Sequence, residues 1–195
     1  MLLDSQLLES LSPGAGEALQ LNAAKAYRAL VVTQPGSAEA RARLDDLTPS
    51  TVLARPVVSP RDAAAALAGL WLWHDHLDES HRLSQAIDTP AGSYWHAIMH
   101  RREGDFWNSK YWLNKCRGHP ALGLISRQAT DMINAAPSDQ SIIRLTLGDF
   151  DAAGFVDVVE AVHNHPDDPR RELIVALQKI EWRALFEHCL RAATG

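Results

Sequence analysis

Thiols are scarce in this chain. Its 195 residues include two cysteines, Cys116 and Cys189, in no CxxC or CxxxC spacing. That argues against a cysteine zinc site and favours free thiols in a reducing compartment. A basic excess is also missing. Nineteen Lys and Arg stand against 24 Asp and Glu, for a net charge of −5, which argues against nucleic acid and against a polybasic membrane contact. No apolar run approaches the ~20 residues of a membrane span. The N-terminal stretch MLLDSQLLESLSPGAGEALQL carries acids where a secretory leader needs bases. The expected location is therefore cytoplasmic. GxSxG, Walker A, HExxH and dinucleotide glycine patterns are all absent, so no common catalytic motif names a reaction. Alternation of β-branched and polar residues is nearly absent as well, which leaves a helical period.

What the chain does have is tryptophan and histidine, concentrated in one place. Trp71, Trp73, Trp95, Trp107 and Trp112 lie between residues 71 and 112, and so do His74, His76, His81, His96 and His100. Caps and breaks divide the chain into helices over 15–32, 37–47, 59–86, 89–103, 105–117, 121–135, 141–147, 151–164 and 168–193. Residues 49–59 have little periodicity and read as a connector. It would separate an N-terminal helical arm (1–48) from a main helical domain (60–195), with the arm packed on the domain as one compact unit. The fold expected is all-α, with antiparallel helical hairpins packed in a single array. The last helix is apolar on more than one side, which suits burial or a dimer face, so monomer and homodimer both stay open.

Gly104-Asp105-Phe106, followed by Ser109, Leu113, Cys116 and Pro120, resembles the second half of a tetratricopeptide repeat. Gly148-Asp149-Phe150, with Ala153 and Pro166, resembles a second copy. The two glycines stand 44 positions apart, against about 34 in that family. His96 and His100 replace its usual leucine and aromatic. The resemblance implies helical hairpins with small residues where helices cross.

Helical phase sorts the histidines. On one helix over 59–86, His74, Asp78, His81 and Gln85 share a stripe that continues Leu67, Leu70 and Trp71 toward the core. On the next helix His96, His100 and Glu103 form a second stripe. The two patterns, H-x3-D-x2-H and H-x3-H-x2-E, sit on helices that should pack side by side, the arrangement by which helix bundles hold metal. Imidazole and carboxylate suit Zn, Fe, Mn or Ni. Candidate ligands are His74, Asp78, His81, His96 and His100. Along a helix His74 and His81 are about 10 Å apart, so the expected cluster is Asp78, His81, His96 and His100, with His74 and Glu103 a turn or two away. Asp78 and Glu103 are the candidate catalytic carboxylates, each as ligand or base to a metal-bound water. The function this supports is metal or small-ligand binding, with a metal-dependent hydrolase as its enzymatic form. The same residues also suit a metal-free network in which His and Asp satisfy each other. The alternative function is a non-catalytic helical-repeat scaffold for a protein partner. His76 falls off the stripe and reads as surface. Arg101 and Arg102 read as a solvated helix end, and Cys116 as packed.

Overall fold

Hydroxyl and carboxylate caps open most of the helices. The structure, a computed structural model, describes residues 5–135 and 139–195. Helix α1 is Ser5–Ser10, and α2 (Pro13–Gln20) is capped by Ser12. Ser37 caps α3 (Ala38–Asp45) and Ser59 caps α4 (Pro60–Trp73). After α5 (Leu77–Ser84), Thr89 caps α6 (Pro90–Glu103) and Asp105 caps α7 (Phe106–Leu113). Then come α8 (Pro120–Ala135), α9 (Gln140–Ile143), α10 (Ala152–Val162, capped by Asp151) and α11 (Arg171–Thr194). Each capping oxygen accepts a backbone N–H that the helix itself leaves unpaired. Among the described residues there is no β-strand, only an isolated bridge between Leu11 and Leu53. The class is all-α, as the sequence leads one to expect.

Two expected helices differ, for tertiary reasons. The helix over 15–32 stops at Gln20. Beyond it Asn22 and Tyr27 take positive φ, and the backbone is claimed from outside the segment. Gln178 Nε2 donates to Tyr27 O and Ala29 O, Arg102 donates to Ala29 O, and Val32 N donates to Arg102 O. Carbonyls held by distant side chains are not free for a helical ladder. The helix over 59–86 breaks at residues 74–76 into α4 and α5. Asp75 takes φ +62° there, and its carboxylate receives the Arg102 guanidinium at 2.7 Å. This break resets the helical phase between His74 and His81, so the expected stripe through both does not exist.

The core runs continuously from Leu7 to Ala193. Helix α11 lies through it, packed on α4 and α8, with Ile174, Leu177, Trp182, Leu185, Phe186 and Cys189 fully buried. Residues of the 49–59 stretch pair with both chain ends: Ser12 N donates to Val52 O, and Val58 N to Ala193 O. Trp182 is the hub of an aromatic cluster with Trp73, Trp95 and Phe186, and its Nε1 donates to Gly69 O. Arg101 and Arg102, expected in solvent, are buried. Arg101 forms a two-pronged ion pair with the equally buried Glu181 of α11. Arg102 lies over the Tyr27 ring at 3.9 Å and donates to Leu72 O. Among the described residues no helix is long and apolar enough to cross a membrane.

Candidate metal centre

Three of the expected ligands meet. His81 comes from α5, and His96 and His100 stand one turn apart on α6. The three can each offer a ring nitrogen such that all lie within 4.8 Å of one another. Ring centroids are 4.7 Å apart for His81–His96, 4.6 Å for His96–His100 and 5.5 Å for His81–His100. His96 and His100 are buried, while His81 is half-buried and gives the trio its way out to solvent.

Helix α7 forms the other wall. The Gly104 turn, at φ +91°, folds α7 back against α6; a left-handed φ of this kind favours glycine. Ser109, the small residue expected at the crossing, donates to Ala97 O at 2.7 Å. The same fold lays Trp112 face to face with His96, at a centroid distance of 4.1 Å and 21° between planes. It also sets Asn108 Nδ2 at 3.1 Å from His100 Nε2. Lys115 Nζ stands 3.8 Å above the Trp112 ring. Cys116 packs below, buried, and burial pushes its thiol up to about 12.

The electrostatics favour an uncharged His96. Burial above all, then the neighbouring His100, His81 and Lys115, lowers its pKa to about 3. Its Nδ1 is buried without a hydrogen-bond partner. A buried polar atom without a partner is costly in a core. His100 differs, because its Nδ1 lies 2.5 Å from Glu103 Oε1. With Nδ1 donating to the carboxylate, the His100 Nε2 lone pair accepts from the Asn108 amide at 3.1 Å, and a metal ion would take it only as that amide turns away. Carboxylates orient metal-binding histidines in this way. Glu103, expected as a catalytic base, is thus placed to hold His100. It forms a second possible ligand group with His100 and Asp105, in which both acids are exposed.

The other expected site residues lie elsewhere. His74 is buried at the end of α4, where its Nε2 donates to Ala18 O at 2.7 Å. Burial lowers its pKa. Asp78 is exposed and lines a separate pocket with Asp75, His76 and Glu79. A stripe shared with His81 requires one continuous helix, and the break at 74–76 interrupts it. Neither belongs to either ligand group. His76, expected at the surface, is buried against the edge of Trp71, with neither ring nitrogen partnered. Trp112 covers the trio, whereas Trp107 is 77% exposed. Asn108 is the neighbour that sequence reasoning missed; its spacing from the Asp105 cap was the available signal.

No family model, curated protein or solved structure matches the chain. The Gly104 turn and the Ser109 contact make α6 and α7 a helical hairpin.

Proposed function

We infer that this protein binds a divalent transition-metal ion through His81, His96 and His100. The observation that carries this reading is the convergence of three imidazoles from two helices, with one of them buried, uncharged and unpartnered at Nδ1. Zn–N bonds of ~2.0–2.1 Å put the nitrogens of a tetrahedral site ~3.3–3.4 Å apart, so separations of up to 4.8 Å must close by up to ~1.5 Å through ring rotation. Three histidines without thiolate suit zinc, with iron, manganese and nickel as competitors. A three-histidine set leaves a fourth position for water or a small ligand, and such water ionises near neutral pH on zinc. Hydrolysis of a small substrate is the enzymatic form of this reading. Glu103 is then a positioning residue for His100, and Asp78 takes no part.

The test is metal titration of tag-free, chelator-stripped protein, read by calorimetry and thermal shift. One equivalent of Zn2+, Ni2+, Mn2+ or Fe2+ is expected. At a free concentration of 100 Kd the stabilisation would be about 2.7 kcal/mol. His96→Ala and His100→Ala should abolish binding, whereas His74→Ala and Asp78→Asn should retain it. Absence of binding by the unsubstituted chain overturns the reading, as does equal binding by His96→Ala.

A scaffold role is favoured by one observation. Trp107 and Tyr111 are exposed and stack with ring centroids 6.1 Å apart on the outer face of α7. Exposed aromatics of this kind mark contact surfaces. Loss of a captured protein partner on Trp107→Ala, with metal binding intact, would support this second role.

A further inference from the structure

A second histidine pair, far along the chain from the first, sits at the junction of α6, α8 and α11. His119 precedes α8 and His188 belongs to α11; their rings meet edge to face at 4.5 Å. Both line a cavity of about 210 Å³ together with Asp62 and Arg117. His119 is only 5% exposed. The Ala121 N–H donates to its Nδ1 at 3.1 Å, so in the neutral ring the proton resides on Nε2. That Nε2 is buried and without a partner. Burial chiefly, and then His188, lowers the His119 pKa to about 4, so the ring is neutral at physiological pH. An N–H donor on a buried ring calls for an acceptor and is unsuited to a metal ion.

The surroundings supply the matching charge. His188 also lines an adjoining cavity of about 410 Å³, whose wall carries Arg127 and Arg191. Across the two linings, Asp62 is the sole acid, and its Oδ2 already accepts from Ser59 Oγ at 2.6 Å. Arg117 lines the first cavity and donates to Asn114 Oδ1 at 2.6 Å, and beside the second cavity Arg191 pairs with Glu187 at 3.5 Å. Guanidinium groups near a buried N–H donor suit planar or tetrahedral oxyanions, which Arg engages through paired donors.

We propose that the His119–His188 cleft is a binding site for the oxyanion group, phosphate or carboxylate, of a small molecule. His119 Nε2 donates to one oxygen of that group, and the arginines hold the rest. The site is independent of the three-histidine centre, and its test is run on metal-stripped protein with chelator present.

Inorganic phosphate and, separately, acetate are titrated into the full chain at constant ionic strength, and the ring 1H–15N signals of His119 and His188 are followed by NMR. A saturable shift of both rings with at least one anion is expected, and the anion that saturates identifies the group. His119→Asn keeps an acceptor for the Ala121 N–H but has no donor at the Nε2 position. It should weaken binding about tenfold, the scale of one lost hydrogen bond to a charged group. Shifts that never saturate, or that match a chloride control for both anions, overturn the proposal. So does unchanged affinity in His119→Asn. Should that variant lose its dispersed spectrum, Arg127→Gln decides: weakening of about threefold or more supports the site, and unchanged affinity overturns it.

Discussion

The burial of single histidines sets how this protein responds to acid. His96 titrates near 3 in the folded chain, His119 near 4, and His74 and His188 are also lowered. The ordinary value is about 6.5. Above pH 6.5 both folded and unfolded forms are neutral at these rings, and the full stability is present. Below it the unfolded chain takes up protons that the folded chain refuses. Stability then falls by up to about 1.4 kcal/mol per pH unit for His96, down to about pH 3, and for His119, down to about pH 4, and His74 and His188 add to the fall. Urea unfolding of metal-stripped protein between pH 7 and 4 should show this slope, and His96→Phe should reduce it by about one proton. An unchanged slope in that variant would mean that His96 titrates normally. Both this depressed basicity and the unpartnered Nδ1 arise from packing under Trp112, which residue spacing alone cannot reveal.

The helix elements show what the sequence could and could not tell. Helix α6 was legible because its signals are local. Thr89 caps, Pro90 starts and Gly104 stops it, so His96, His100 and Glu103 keep the phase that the sequence assigns. A period count runs α4 past its end because the break after Trp73 has no proline or glycine to announce it. What ends the helix is Arg102 reaching across from α6 to Leu72 O and Asp75. That long-range contact is invisible in a period count, and it separates His74 and Asp78 from His81 and its partners. The crossing of α4 with α6 has its own requirement. A Cβ on Gly69 would stand 2.7 Å from Trp95 Cζ2 and 3.2 Å from Phe186 Cδ2. Gly69→Ala should therefore destabilise by about 1–3 kcal/mol, the usual cost of overpacking, measured by denaturant unfolding. At the α6–α7 turn, Gly104→Ala has space, with the nearest atom at 3.5 Å. Its cost should be confined to about 1–2 kcal/mol of left-handed backbone strain.

At the scale of the whole molecule, α6 and α11 are tied by a buried charge. Arg101 and Glu181 are 1% and 0% exposed at their side chains, and Tyr94 donates to the same carboxylate at 3.1 Å. Removing one partner leaves the other charge without its counterion in the core. Arg101→Met should cost about 3–5 kcal/mol, whereas Arg101→Met with Glu181→Leu should recover much of that loss. A double-mutant cycle measures both, and strict additivity would show that the pair does not couple. The sequence held a hint here: Glu181 and Gln178 interrupt the apolar surface of α11, and a buried acid requires a cation. The aromatic arrangement has an optical consequence. Trp73, Trp95 and Trp182 are sealed in the core and report global unfolding, whereas Trp112 rests on the His96 ring. Its emission should act as a local gauge of that imidazole. Open-shell Ni2+ held by the three histidines should quench it while closed-shell Zn2+ leaves it bright, and Trp112→Phe should silence the difference. The chain thus carries its own fluorophore at the candidate centre, read without any attached dye.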